Sequence, residues 1–390
     1  MFLKITTRSC LRFCSSLTAP ALALSGLILV LQGCTKKSND IFVGEYGSLS
    51  GNDATFGTST NKGIRLAFDE INEKGGIKGR KIKLITYDNE SDAGKAASVV
   101  TRLITQDNVV AILGEVASSR TKAAAPIAQE NKIPMITPSS TNTEITKIGD
   151  HIFRICFIDP FQGFVMAKFA TETLKAKKLA ILRDVKNDYS VELSNVFAEN
   201  IKKMGGEIVA DLSYQANDID FKAQLTQIRS KAPEAIFIPG YYSEVGLISK
   251  QARELGIKAP LLGGDGWDSV KLHEIGREAI NGSFYSNHYT TETDEAPVIE
   301  FIKKFKSKYN ETPDGLAALG YDAARILAEA MERASEITPQ MIRDEIAKTK
   351  DFNGATGKIT LDENRNAVKS AVVVEVQGEA RKFVSRIYPQ

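Results

Sequence analysis

Cysteine is scarce in this sequence: there are four in 390 residues, and Cys10, Cys14 and Cys34 all precede residue 35. Only Cys156 remains in the rest of the chain, so that part cannot contain an internal disulfide. Without a disulfide, a fold of this size depends on a large apolar core. We expect Cys156 to be a small buried apolar residue of that core.

Catalytic and metal-binding signatures are also missing. The three histidines, His151, His273 and His288, form no HExxH motif, and no GxSxG elbow, GxxxxGK[ST] loop or GxGxxG turn after a strand is present. These absences argue against hydrolase, nucleotide-hydrolysing and dinucleotide-dependent enzymes. We predict no catalytic residue, cofactor or metal, and expect the histidines to be surface or capping residues.

A strong net charge is absent, because 50 Lys and Arg balance 48 Asp and Glu for a formal charge of +2. No local run of basic residues supplies the electrostatic footprint that nucleic-acid binding needs. The sequence therefore predicts no nucleic-acid partner.

The first 33 residues are typical of a bacterial export signal. Lys4, Arg8 and Arg12 precede an apolar run, residues 17–31, that is too short and too early for a comfortable membrane span. We predict a signal peptide at residues 1–33 and a periplasmic protein, or one at the outer face of the cytoplasmic membrane.

The end of that run, LQGC, resembles a bacterial lipobox, whose cysteine is acylated after cleavage. We predict that Cys34 is lipidated and that residues 34–40 are a polar tether to the membrane. Gln32 departs from the small residue usual at that position. An ordinary signal peptide and an uncleaved anchor helix are the alternatives.

From residue 41 onward, short β-rich runs alternate with helical periodicity. KIKLITYD, NVVAILG and KIPMIT read as strands, whereas Ala93, Ala97, Val100 and Ile104 form a helical stripe. The alternation restarts after His151 with KKLAILRD, EIVADLSY and EAIFIPG. The pattern predicts an α/β fold with two doubly wound, Rossmann-like lobes and parallel central sheets.

Polar residues follow these strands where each strand ends. The loops are EVASSRT, PSSTNTE, VKNDYS, YYSE and DGWDS. Ligands of open α/β sheets bind beyond the carboxyl ends of the strands, so we expect the loops to meet in one cleft between the lobes.

Two of these loops have a local alternative explanation. The hydroxyls of PSSTNTE suit an anion site at a helix N-terminus, but Thr141 and Glu144 also fit the S/T-x-x-E capping box. Asp265 suits an ammonium, or else caps a helix beginning near Ser269. The residues alone leave both choices open.

Long segments resemble the leucine/isoleucine/valine-binding protein family of bacterial ABC importers. They include LAFDEINEKGGIKGRKIKLITYDNESDAGKAASVVTRLI, IPMITPSSTNTEIT, GYYSEVGLISKQARELGIKAPLLGGDGWDS and ALGYDAARILAEAMERA. The resemblance implies a type I periplasmic-binding-protein fold, whose two lobes share a three-strand hinge and close on ligand. We predict residues 41–159 plus 288–366 as lobe 1, and 160–287 plus 367–390 as lobe 2.

The resemblance also implies a set of ligand-binding residues. A ligand carboxylate would meet Ser118, Ser139 and Thr141, and its ammonium Asp265, Tyr241 and Asp159. The side-chain pocket would contain Phe56, Val116, Ala117, Tyr189, Trp267 and Leu316. Many relatives have an aromatic residue at the position of Leu316, and some have Glu at that of Asp265, so the family pattern leaves the ligand open.

Our interpretation is an extracytoplasmic solute-binding protein that delivers an apolar, branched-chain amino acid to a membrane permease. We expect a monomer held at the membrane by its lipid anchor. The alternatives are a sensor, or a binding protein for an amide, urea or aromatic acid, on the same fold. An enzyme on a Rossmann-like fold and a DNA-binding repressor are disfavoured, because the chain lacks a phosphate loop and an N-terminal helix-turn-helix.

Overall fold

The computed structural model describes residues 39–389. The predicted signal peptide, Cys34 and most of the predicted tether lie outside this range. Within residues 39–389, no helix combines the length and apolar character needed to cross a bilayer.

Apolar runs that end at polar loops form the first sheet, whose five strands are all parallel in the order β2-β1-β3-β4-β5. Its strands are β1 (Ile41–Gly47), β2 (Ile82–Asp88), β3 (Ala111–Leu113), β4 (Met135–Thr137) and β5 (Ile152–Arg154). The helices between them are α1 (Ala54–Glu73), α2 (Ala93–Thr105), α3 (Ser118–Glu130) and α4 (Glu144–Lys147).

The alternation then begins again and builds most of a second sheet. Its parallel strands are β6 (Lys178–Asp184), β7 (Glu207–Tyr214), β8 (Ala235–Phe237), β9 (Leu261–Gly263) and β10 (Phe284–Asn287). The α-helices of this part are α5 (Asp159–Lys168), α6 (Asp188–Lys203), α7 (Lys222–Ser230), α8 (Tyr242–Glu254) and α9 (Val270–Gly276). Shorter helical turns cover Phe169–Thr173, Asp265–Trp267 and Arg277–Ile280.

The chain next returns to the side of the first sheet. Helix α10 (Ala296–Tyr309) is followed by α11 (Gly315–Arg333), which packs along α1, and by α12 (Pro339–Ile346). A Cβ at Gly320 would lie 2.4 Å from the carbonyl oxygen of Thr60, so glycine lets the two helix backbones approach closely. A small antiparallel sheet follows, with strands β11 (Phe352–Gly354), β12 (Gly357–Leu361) and β13 (Ala367–Val368).

Strands β14 (Ala371–Gln377) and β15 (Ala380–Ile387) complete the second sheet as antiparallel additions beside β10, in the order β15-β14-β10-β9-β8-β6-β7. The chain therefore passes between the two sheet regions after β5, after β10 and before β14. This confirms the α/β fold class with two parallel-sheet lobes and three connections. The residue boundaries of the lobes stay a prediction.

Two local expectations differ from the structure. The buried face of α2 is formed by Ala96, Val100 and Leu103, so only Val100 of the predicted stripe is fully buried. Strand β5 was not predicted, because it has only three residues and the sequence around it shows no alternation of apolar and polar residues. Cys156 is buried and unpaired, as expected.

Candidate functional site

Loops from both sheets line a small cavity. The strands that end here include β3 and β4 of the first sheet and β8 and β9 of the second. The residues lining it are Phe56, Val116, Ser118, Ser139, Tyr189, Tyr241, Asp265, Gly266 and Leu316. Eight of these nine were predicted from the sequence, and Gly266 is the addition.

Ser118 lies at the start of α3, the longer of the two helices that follow the predicted carboxylate loops. Ala117 precedes it in extended conformation and contributes no side-chain cap. The Ser118 Oγ is buried and accepts a hydrogen bond from the amide of Asn142 at 3.3 Å. The first turn of a 13-residue helix thus borders the cavity, where free N–H groups favour a negative charge.

The loop at residues 138–143 does not begin a long helix, and the predicted capping box is wrong. Helix α4 begins at Glu144 and has only four residues, and its first amide is bound by Asn142 Oδ1 at 3.0 Å. The Asn142 side chain satisfies that amide locally. Thr141 is therefore not a cap, and its buried Oγ1 has no partner in the protein.

Ser140 points away from the cavity. Its hydroxyl contacts the carbonyl oxygens of Glu115 and Val116 at 2.9 and 3.0 Å, and it is fully buried. The carbonyl of Ser140 accepts a 2.7 Å hydrogen bond from the buried guanidinium of Arg154. These contacts fix the backbone between Ser139 and Thr141, so Ser140 supports the loop and does not face the cavity.

Asp265 faces the cavity from the loop after β9, and it is not a helix cap. Helix α9 begins at Val270 and is capped by Ser269, whose side chain accepts from the amide of Lys271. The Asp265 amide donates to Gln162 Oε1 at 2.8 Å. A Cβ at Gly264 would lie 2.3 Å from the Tyr189 hydroxyl oxygen, so the glycine lets this loop fit beneath the tyrosine.

The two oxygens of the Asp265 carboxylate differ in their contacts. Oδ2 accepts from Ser139 Oγ at 3.3 Å and lies 2.9 Å from His288 Nε2. Oδ1 is buried and has no hydrogen-bond partner in the protein. Buried polar atoms are nearly always paired, so Oδ1 marks a position where a ligand donor is expected.

Asp159 is a second buried carboxylate, at the first residue of α5. Its Oδ1 accepts from Gln162 Nε2 at 3.2 Å, and its Oδ2 has no partner in the protein. Burial raises the pKa of Asp159 well above its usual range, and the nearby charges of Glu192 and Asp265 add to the increase. A cation placed between Asp159 and Asp265 would favour the ionised form of both.

Aromatic rings form one wall of the cavity. Tyr189 and Tyr241 stack with ring centroids 5.6 Å apart, and Phe56 meets Tyr241 edge to face at 5.1 Å. The Tyr189 hydroxyl accepts from the amide of Gly266 at 3.3 Å. Burial raises the pKa of both tyrosines well above the usual value, so their hydroxyls stay neutral.

Four predicted residues do not line the cavity: Ala117, Thr141, Asp159 and Trp267. Trp267 is fully buried within the second sheet region, where its Nε1 donates to the carbonyl of Ile238 at 2.9 Å. Its side chain supports the Asp265 loop on the side away from the cavity. Thr141 and Asp159 adjoin each other, because the Thr141 carbonyl accepts from the Asp159 amide at 3.1 Å.

Direct contacts join the two sheet regions beside the cavity. Asp188 at the start of α6 accepts from Ser119 Oγ and from Lys122 Nζ, both at 2.8 Å. One turn later, Glu192 accepts from the amide of Thr143 at 2.8 Å and also contacts the Thr143 hydroxyl. On another side, the Tyr242 hydroxyl donates to the carbonyl of Asn52 at 2.7 Å. The structure therefore shows the lobes in contact around the cavity.

Sequence reasoning missed Gln162 and His288. Gln162 Oε1 accepts from both the Asp265 amide and the Ser286 hydroxyl at 2.8 Å. The expectation that the histidines are surface or capping residues is wrong for His151 and His288, because both are buried. Neither Gln162 nor His288 belongs to a local pattern, and only the packing of α5 and β10 against the Asp265 loop identifies them. In residues 39–389, no group of three or more His, Cys, Asp or Glu side chains has an arrangement suited to a metal ion.

Comparisons with known proteins agree with this geometry. A family profile described as periplasmic binding protein matches residues 40–381. A Pseudomonas aeruginosa protein that binds leucine, isoleucine, valine, threonine and alanine is 30% identical over 319 residues, which cover 81% of this chain and 84% of that protein.

Two solved structures are also similar. The leucine-binding protein LivK of Thermotoga maritima is 41% identical with a TM-score of 0.86, covering 90% of this chain and 99% of its own. The branched-chain amino acid transporter substrate-binding protein LivJ of Streptococcus pneumoniae, solved with isoleucine, is 37% identical with a TM-score of 0.86. That match covers 90% of this chain and all of LivJ.

Proposed function

This chain belongs to the periplasmic binding protein family, and on that premise we propose that it is the substrate-binding protein of an ABC importer that captures a branched-chain amino acid. The relatives at 41% and 37% identity are a leucine-binding protein and a protein solved with isoleucine. The ligand would lie between the two sheet regions and pass to a membrane permease.

The observation that carries the proposal is three buried polar atoms without hydrogen-bond partners in the protein: Asp265 Oδ1, which lines the cavity, and Thr141 Oγ1 and Asp159 Oδ2, which lie beside it. An unpaired buried polar group costs about 1–3 kcal/mol, and more when it is charged. An α-amino acid offers ammonium donors to the two carboxylates and carboxylate acceptors to the hydroxyl. We propose that one zwitterion pairs with all three atoms as the lobes close on it.

The charges around the cavity favour one orientation of that zwitterion. Its carboxylate would meet Ser118, Ser139 and Thr141 near the first turn of α3, where helix N–H groups favour an anion. Its ammonium would meet Asp265 and Asp159, with the neutral hydroxyl of Tyr241 beside them. Both ends are required, since a buried charge without a partner is strongly unfavourable.

The remaining wall is apolar and suits an aliphatic side chain. Phe56, Val116 and Leu316 are buried and line the cavity without any charge. The apolar lining therefore supports an aliphatic side chain such as that of leucine, isoleucine or valine.

Ligand identity is tested by calorimetry of the purified full-length protein in detergent against the twenty amino acids, small amides, urea and aromatic acids. We expect binding of leucine, isoleucine or valine and no binding of their analogues without the α-ammonium. Binding confined to compounds that lack an α-ammonium would refute the amino-acid assignment.

We also propose that the protein is anchored through Cys34, on the basis of the LQGC segment, and that it acts as a monomer. Cys34→Ala should release it from the membrane fraction. A Cys10→Ala variant is the matched control and should stay in the membrane fraction. Continued retention of the Cys34 variant would instead favour an uncleaved anchor helix.

A further inference from the structure

His288 lies where two of the three connections between the sheet regions meet. It follows β10 directly, and its ring stacks on Phe157, which lies between β5 and α5, with centroids 3.7 Å apart and planes 23° from parallel. The side chain is fully buried. A buried, stacked imidazole has little rotational freedom, so its nitrogens have fixed positions.

One of those nitrogens contacts the proposed ammonium acceptor. Nε2 lies 2.9 Å from Asp265 Oδ2, whereas Nδ1 is buried without a partner. A carboxylate oxygen accepts hydrogen bonds, so we assign the ring proton to Nε2. Burial lowers the pKa of His288, which keeps the ring neutral and leaves the negative charge of Asp265 for the ligand.

The two contacts on Oδ2 are not equivalent. Ser139 Oγ is 3.3 Å away and is also a proposed ligand of the carboxylate, so it is available to Asp265 only until the amino acid binds. His288 has no such second role. It is therefore the donor that holds Oδ2 with and without ligand, which leaves Oδ1 for the ligand.

We propose that His288 is a positioning residue for ammonium recognition, because its Nε2–H binds Oδ2 of Asp265 and thereby directs Oδ1 toward the ligand. This inference rests on the proposed function. The hydrogen bond from His288 would also hold Asp265, which is one methylene shorter than glutamate, where its carboxylate can meet the ammonium directly.

Two substitutions separate the effect of the hydrogen bond to Asp265 from the effect of packing on Phe157. His288→Gln keeps a neutral N–H donor near the Nε2 position, and His288→Phe keeps the ring stacked on Phe157 but removes the donor. By calorimetry of the full-length protein with leucine, we expect His288→Phe to weaken binding by about tenfold or more, and His288→Gln by less than about threefold. Thermal unfolding without ligand shows whether each variant is folded.

A double-mutant cycle with Asp265→Ala tests whether His288 acts through Asp265. In that background His288→Phe should change leucine affinity by less than about twofold. If the phenylalanine variant does not fold, His288→Asn replaces it, since its shorter amide reaches only the Nδ1 side.

The outcomes are distinct. Equal loss in the glutamine and phenylalanine variants, unchanged affinity in both, or a full additional loss in the Asp265→Ala background would each overturn the role of His288. Failure of the wild-type protein to bind any of leucine, isoleucine and valine would overturn the proposed function itself.

Discussion

The two ends of the candidate cleft differ in how they hold charge. The end near the first sheet presents hydroxyls, on Ser118, Ser139 and Thr141, beside the start of α3. The other end presents two carboxylates, Asp159 and Asp265, both buried. Neutral hydroxyls tolerate burial, whereas two buried carboxylates repel each other and gain most from a cation. We therefore expect the carboxylate-lined end to dominate both affinity and pH dependence.

The largest effect is expected at Asp265. Asp265→Ala should weaken leucine binding by at least about 2 kcal/mol, because it removes one member of a buried charge pair. The measurement is calorimetry, with the exposed, remote Asp351→Ala as the matched control. Affinity equal to that of the control would remove Asp265 from the site and break the comparison between the two ends.

A smaller loss is expected at the hydroxyl end. Thr141→Val keeps the shape but removes a buried hydroxyl that has no partner in the protein, and should weaken leucine binding by about tenfold. The exposed Thr105→Val is the control. If the loss at Thr141 exceeded the loss at Asp265, the order proposed for the two ends would be reversed.

Binding should also depend on pH through Asp159. Its pKa is raised by burial and by neighbouring carboxylates, and a bound ammonium lowers it, so the liganded protein carries fewer protons. Affinity should consequently decrease as pH falls through that raised pKa.

Calorimetry in buffers of different ionisation enthalpy would show the matching release of protons on binding. The wild-type protein should show this release, and Asp159→Asn should lose both the release and the associated pH dependence. Proton uptake by the wild-type protein would contradict the assignment.

The smallest effect is expected where the lobes contact each other outside the cavity. Glu192→Gln weakens the hydrogen bonds to Thr143 in this partly exposed contact and removes a negative charge near Asp159, so leucine affinity should decrease by about two- to threefold. Glu199→Gln, exposed on the same helix, is the control. The faster ligand dissociation expected of Glu192→Gln can be followed by stopped-flow fluorescence, and a dissociation rate equal to that of Glu199→Gln would exclude a role in closure.

Much of the fold was predictable because alternating strand and helix periods repeat along the chain. KIKLITYD, NVVAILG and KKLAILRD each contain a strand, and the family predicted from the quoted segments is confirmed by the profile match at residues 40–381. Short elements escaped this reasoning. Strand β5 is too short to show an alternation of apolar and polar residues. The buried face of α2 was predicted at the wrong residues, because alanine is only weakly hydrophobic and marks the face of a helix poorly.

Site residues were predictable only where they directly follow a strand, because the end of a strand fixes their place at the edge of the sheet. Residues at strand ends, such as Ser118, Ser139 and Asp265, line the cavity because parallel strands end at the same edge of a sheet. The same argument gave no means to place Trp267, which follows a strand yet is buried behind the Asp265 loop. The roles assigned to these residues stay predictions until binding is measured.

The sequence by itself determined the alternation that builds two parallel sheets, and the polar loops beyond them, because periodicity and strand-end composition are local properties. Only the tertiary structure decided that Thr141 is no cap, that Ser140 supports the loop, and that His288 reaches Asp265. The contact between Ser139 and Asp265 likewise joins residues 126 positions apart in the chain. No local pattern records such contacts, because they form only when segments distant in the sequence pack against each other.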